Sequence, residues 1–285
     1  MSVLTDAAGV VRKVWNHPAN RGRRVRALRR AISYQVMART FGRTAVASVG
    51  DRGRVVVRLH DNGSSHALYA NPPDFAEMQF WRKWLRPGDL FLDVGANVGI
   101  YSLWAADIGV ETWAFEPHPV ARERLQENAA LSGLDIRSFD CALGAAEGRM
   151  SFTTNLGTSN HLTVGTDGDV TVEVRRADDV VGKRTVHGVK IDVEGAERLV
   201  LEGASGLLER GQIQVLQIEW NHMSRVTLGE GREAVGDILQ RAGYLTFRLI
   251  DGAAVATAVE DLTEGPEDVF AASPEAARRL GLVHS

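Results

Sequence analysis

The chain's sequence predicts an α/β fold built on a doubly wound, mostly parallel sheet. Three observations carry this. From residue 90 onward, short apolar runs alternate with segments of helical periodicity, the pattern of a sheet covered by helices on both faces. The first run ends in a glycine-containing turn, Asp93-Val94-Gly95-Ala96-Asn97-Val98-Gly99, at the kind of strand end where doubly wound sheets bind ligands. The composition, 44% apolar and 24% charged over 285 residues, is that of a globular chain long enough to bury a large core.

The elements follow in order. Residues 7–50 hold ten basic residues and no acid, whereas residues 51–285 carry 23 basic against 35 acidic residues. Within the basic block Val25, Leu28, Ile32 and Val36 fall on one helical face among arginines. The chain therefore divides into a basic amphipathic N-terminal helical arm, 1–50, and a main domain, 51–285. Such an arm can pack its apolar side on the domain, lie on an anionic membrane surface or dock on an acidic partner. Nucleic acid is not an expected partner, because the body is acidic and no recognisable nucleic-acid module accompanies the arm.

The run at 54–59, the Asn62-Gly63 turn and a second apolar stretch to Tyr69 read as a hairpin. After Pro72-Pro73, Asp74 can cap a helix through Trp84, which Pro87-Gly88 ends. Strands are then expected at 90–94, 112–115 and 136–143, with helices at 100–108 and 120–131. Between 150 and 181 the pattern becomes alternation without a helix, which fits an inserted antiparallel β-hairpin and loop. Strands resume at 189–193 and 215–219, with helices at 197–209 and 232–242. The strands at 245–249 and 269–272 are not separated by a helix, so the last one should enter antiparallel.

Several classes are excluded. A lone Cys141 forms no intrachain disulfide, and one cysteine with eight histidines shows no zinc spacing. The first fifteen residues lack the order of a secretory signal, and no stretch approaches the roughly 20 apolar residues of a membrane span. A cytoplasmic location, membrane-peripheral if the arm binds lipid, is the resulting expectation.

The strand ends hold the chemistry. Gly95 allows the tight turn and Gly99 the close packing of the next helix. The spacing is GxxxG rather than GxGxxG, and Asp93 precedes it. An anion there does nothing for a pyrophosphate but favours an ammonium or sulfonium ligand, which points away from NAD. Glu116, ending the next strand, can accept from both hydroxyls of a ribose. Asp140, Cys141 and Ala142 can meet an adenine, although Asp140 can equally serve a turn. At Lys190-Ile191-Asp192-Val193-Glu194-Gly195-Ala196-Glu197, three acids in six residues call for a cation, a donor-rich substrate or a proton-transfer task.

Three stretches, LFLDVGANVGIYSL, AFEPHPVARERLQEN and VKIDVEGAERLVLEGA, resemble the signature blocks of FkbM-type methyltransferases, a branch of the class I S-adenosylmethionine-dependent enzymes. The resemblance implies a seven-stranded sheet with a reversed last strand, and methyl transfer to a hydroxyl of a sugar or polyketide-like natural product; membrane contact by the arm would add a glycolipid to these acceptors. It also implies that Asp93, Gly95, Asn97 and Gly99 form the methionine-side loop, that Glu116 binds the ribose and that Asp192 closes the site near the methyl. The arm lies outside these blocks.

Methyl transfer to a hydroxyl needs in-line alignment and a base for the proton. His222, Asp192 and Glu194 are the candidates, with His161 of the insertion as a fourth. Asn160 and His161 in the polar loop 156–162, together with Trp220, are the expected acceptor contacts. The acids could hold Mg²⁺, but without a recognisable full ligand set no metal is expected. The competing readings are an NAD-dependent oxidoreductase and a non-catalytic module that binds adenosyl ligands.

Overall fold

The computed structural model describes residues 3–58, 62–152, 162–163, 170–220, 223–229, 231–262 and 268–282. Two helices, Val3–Asn16 and Arg24–Phe41, lead into a hairpin of β1 (Ala45–Val49) and β2 (Gly53–Val57). The strands that follow are β3 (Leu90–Val94), β4 (Glu111–Phe115), β5 (Arg137–Phe139), β6 (Cys141–Leu143), β7 (Gly148–Phe152), β8 (Leu162–Thr163), β9 (Val170–Arg175), β10 (Gly188–Ile191), β11 (Val215–Glu219), β12 (Leu245–Ile250), β13 (Ala253–Ala256) and β14 (Asp268–Ala272).

The main sheet has the order β13-β12-β14-β11-β10-β3-β4-β5. Its strands from β5 to β11 run parallel, and β14 inserts antiparallel between β11 and β12. This is the doubly wound, mostly parallel sheet with a reversed last strand that the sequence predicts, with β13 added at one edge. Along β3, Phe91 faces one apolar cluster with Trp81, Leu103 and Phe270, while Leu90, Leu92 and Val94 face a second with Val200, Leu207 and Leu239. Burial on both faces is why these strands are apolar throughout, each large side chain contributing roughly 1.5–3 kcal/mol.

Three local expectations are corrected and a fourth is extended. The hairpin forms one element earlier than read: β2 pairs with β1 around Gly50, whose φ is 70°, and Asn62–Tyr69 is a helix. The AVASV run at β1 offers an adjacent strand partner that the polar NGSSHALY segment cannot match. The single strand expected at 136–143 breaks at the exposed Asp140, so that β5 stays in the main sheet while β6 joins a second one, β6-β9-β7-β8. The inserted hairpin is present as β7 and β9, paired antiparallel and widened by β6 and β8 into that four-stranded sheet. The helix expected at 197–209 is two, Glu197–Gly203 and Ser205–Glu209.

The arm also turns a different face inward. Val25, Ile32 and Val36 are 66%, 49% and 54% exposed, and only Leu28 of the expected row packs on the core. Ala27, Ala31, Tyr34 and Ala38 are buried instead. They share the helical period but sit about 200° round from the valine row, and three of the four are alanines small enough to let the helix backbone approach its neighbours closely.

Candidate active site

The loop after β3 is closed by the strands on either side. Gly95 has φ 81°, and a Cβ on it would lie 1.9 Å from the Asp192 carbonyl oxygen. The tips of β3 and β10 therefore touch at a point only glycine can occupy. The amides of Gly95 and Ala96 donate to the Phe115 carbonyl at 3.0 and 3.1 Å. Asn97, with φ 50°, donates its amide to Glu116 Oε2 at 2.7 Å. The other oxygen of Glu116 accepts from the His118 amide at 2.8 Å. Glu116 is buried, and burial pushes its carboxyl up to about 7 against those two hydrogen bonds. Asp93 is also buried and accepts from Ser102 Oγ at 2.5 Å. Burial pushes it up to about 6, opposed by Ser102 and by Lys190.

Across β3, β10 and β11, Asp93, Lys190 and Gln217 stand in register and share one face of the sheet. Lys190 Nζ lies 3.1 Å from Asp268 and 3.3 Å from Asp192, and 5.2 Å from the Tyr101 ring. Burial opposes its charge, but the carboxylates of Asp192 and Asp268 outweigh that and hold the ammonium well above the ordinary lysine range. Gln217 is fully buried. It donates to the Tyr101 hydroxyl at 2.9 Å and to Asp268, and accepts from Trp81 Nε1 at 2.5 Å.

One step further toward the carboxyl ends, the same columns present Asp192 and Glu219. With Glu194 they bring three carboxylates within 4.8 Å of one another. Glu194 has φ 52°, a left-handed conformation held by Thr227, whose hydroxyl donates to the Glu194 carbonyl at 2.7 Å. Burial, then the charges of Asp192 and Glu197, push the Glu194 carboxyl up to about 7. Burial, then Asp192 and Glu194, hold Glu219 protonated at neutral pH, and its buried Oε2 has no partner among the described residues. The three oxygens could serve as a proton relay, grip donor-rich hydroxyls or hold a divalent cation.

The sequence model of the methyltransferase FkbM domain matches residues 93–248, more than half of the chain. The chain belongs to this FkbM family. Among curated relatives, the 31-O-demethyl-FK506 methyltransferase FkbM of Streptomyces tacrolimicus is 34% identical over 157 residues, covering 42% of this chain and 60% of that protein. The hexuronic acid methyltransferase AglP of Haloferax volcanii is 28% identical over 134 residues, covering 46% of this chain and 56% of that protein. The chain thus spans just over half the length of these relatives. A solved SAM-dependent methyltransferase from Agrobacterium tumefaciens superimposes with a TM-score of 0.46 at 13% identity, over 82% of this chain and 71% of that one.

Of the residues expected to serve this FkbM domain, Asp93, Gly95, Asn97, Gly99, Glu116, Asp192 and Glu194 lie around the ends of β3, β4 and β10. Asp140 is exposed where β5 gives way to β6, and Cys141 and Ala142 are buried behind it. Burial pushes the Cys141 thiol up to about 11, which makes it inert packing. Trp220, expected to meet the acceptor, is instead 2% exposed within the apolar cluster on one side of the sheet; the strand's alternation sends its ring to the opposite side from Glu219. Asn160, His161 and His222 fall outside the described residues.

The sequence reading did not assign Lys190, Gln217, Glu219 or Asp268. Lys190 and Gln217 carried a signal, since a lysine or glutamine inside an otherwise apolar central strand must find a buried partner. Glu197, the third acid of its cluster, has a structural role. It is fully buried, pairs with Arg232 and accepts from the amides of Gly195 and Val193 at 3.0 and 3.3 Å.

Proposed function

We propose that this FkbM-family chain transfers a methyl group from S-adenosylmethionine to a hydroxyl oxygen of a small molecule, either a sugar or a polyketide-like natural product. The observation that carries the reading is the close set of Asp192, Glu194 and Glu219 beside the Gly95 turn. The donor set suits such a cofactor. Buried Asp93 and the Gly95 turn favour a cationic amino-acid end, and Glu116 can add ribose hydroxyls to the two amides it already accepts. When bound, S-adenosylmethionine supplies an electrophilic methyl on a sulfonium.

The chain's own residues do the rest. Glu194, with a carboxyl pushed up to about 7, is matched to take the hydroxyl proton as the new bond forms. Asp192, held by Lys190, aligns the hydroxyl, and protonated Glu219 can donate to a neighbouring acceptor oxygen. The names of the two relatives, one acting on a demethylated FK506 and one on a hexuronic acid, support a hydroxylated small molecule or glycan as acceptor.

The test begins with calorimetric titration by S-adenosylhomocysteine and NADH, followed by mass detection of a methyl gain across a panel of sugars and macrolides. One-to-one binding of S-adenosylhomocysteine alone and a one-methyl gain on a hydroxyl are expected. Binding of NADH alone would restore the oxidoreductase reading. Cofactor binding without turnover on any acceptor, in a folded sample, would favour the non-catalytic module.

A further inference from the structure

The arm lies outside the matched FkbM region and supplies none of the site residues described above. Its second helix, Arg24–Phe41, has three distinct faces. Ala27, Ala31, Tyr34 and Ala38 are buried where the helix packs on Val3–Asn16 and Asn62–Tyr69. On the opposite side Val25, Ile32 and Val36 form an apolar row open to solvent. Beside that row lies a groove of about 1100 Å³ bounded by Arg23, Arg24, Arg26, Arg29, Arg30 and Trp15.

The Arg24 guanidinium sits 5.5 Å over the Trp15 ring. None of the five arginines pairs with a carboxylate among the described residues, and residues 7–50 contain no acid. Burial, with Arg26 adding to it, holds the Arg30 guanidinium below its usual range. Like charges are thus crowded without a counter-charge of the chain's own. Guanidinium forks match phosphate oxygens in pairs. A free phosphate or a nucleic acid would satisfy the groove but leave the apolar row in water. An anionic bilayer covers both, with headgroup phosphates on the arginines and the apolar row in the interface.

We infer that Trp15 and the Arg24–Phe41 helix form a docking surface for the anionic phospholipid headgroups of a bilayer. Contact is peripheral, since no helix among the described residues is long and apolar enough to cross a membrane. The inference stands apart from the methyl-transfer reading, and if both hold, lipid-linked sugars join the acceptors to test.

The full chain is sedimented with phosphatidylcholine vesicles made with and without phosphatidylglycerol, across a salt series. Binding is expected only with phosphatidylglycerol, falling as salt rises. The triple variant Arg26→Gln, Arg29→Gln, Arg30→Gln should bind roughly 100-fold more weakly, at about a factor of five for each arginine near an anionic surface. The triple variant Val25→Ser, Ile32→Ser, Val36→Ser, altered only at exposed positions, should melt like the parent and bind on the order of 10-fold or more weakly. Equal binding to neutral vesicles, parental binding by a variant that melts normally, or capture of RNA or inorganic pyrophosphate with no binding to phosphatidylglycerol vesicles would each overturn the inference.

Discussion

Two glutamates at strand ends of one sheet, Glu116 buried and Glu219 half-buried, are built in opposite ways. Glu116, after β4, has both oxygens taken by backbone amides of the loops it joins. Glu219, at the end of β11, leaves a buried oxygen without a partner among the described residues and stands within 4.8 Å of two more carboxylates. The first half of the site is satisfied from within and holds its shape unaided. The second is under-satisfied, and a buried polar group in that state calls for a donor from outside the fold. Under the proposed function, the first half takes the cofactor and the second takes the hydroxylated acceptor.

The largest expected effect tests the open half. Glu194→Gln keeps the shape of the side chain but removes the proton acceptor. It should lower kcat/KM by about 10²- to 10⁴-fold while leaving S-adenosylhomocysteine affinity within a factor of about three of the parent, since the two halves would be independent. Parallel loss of rate and cofactor affinity would break the comparison. A chelator control belongs beside it: loss of parental activity in EDTA, restored by Mg²⁺, would reassign the three carboxylates from proton transfer to cation binding.

Next in size is the buried pair behind the acid loop. Arg232→Ala strands the fully buried Glu197 carboxylate, which organises the amides of Val193 and Gly195. Removing one partner of such a pair destabilises by about 3–5 kcal/mol, readable as a lower urea midpoint. Unchanged stability would mean that the acid loop keeps its shape without this pair.

The closed half was legible because its parts are local. Asp93, Gly95, Asn97 and Gly99 lie within seven residues and Glu116 ends the next strand, so spacing alone brings them together. The open half is made by pairing distant strands. Glu219 joins Asp192 only because β11 lies beside β10, and Lys190 meets Asp268 only because β14 inserts antiparallel next to β11. The arm failed for another reason. Two faces of one helix carry residues of the same period, and apolarity favours the valine row, whereas close packing selects the alanines. Alternation likewise showed the insertion as a hairpin, but not that β6 would leave the main sheet to join it.

The cofactor half yields the next effect. Glu116→Ala removes an acceptor proposed for the ribose and frees the amides of Asn97 and His118. Losing charge-assisted hydrogen bonds of roughly 1.5–3 kcal/mol should weaken S-adenosylhomocysteine binding about 10- to 150-fold by calorimetry. An unchanged dissociation constant would remove Glu116 from the cofactor site and leave it as a loop clamp.

The smallest effect concerns pH and links both halves. Burial pushes Glu194 up to about 7, so its basic form is lost as pH falls through that value. The rate should drop about tenfold per pH unit below it, a limb absent from Glu194→Gln. The same shift has a sign in stability. A carboxyl whose folded pKa lies above its unfolded one binds more protons when folded, so stability falls as pH rises from the ordinary glutamate range to about 7. Glu194→Gln should therefore be more stable than the parent at pH 8, by on the order of 1 kcal/mol once solvent screening is allowed for, and should lose that advantage near pH 5. Glu116, also pushed up to about 7 by burial, carries the same sign but is held by two amides, so its replacement should forfeit more in the loop than it recovers in charge. A stability gain at pH 8 in the Glu194 variant and a loss in the Glu116 variant is the contrast expected if only the open half is strained for function.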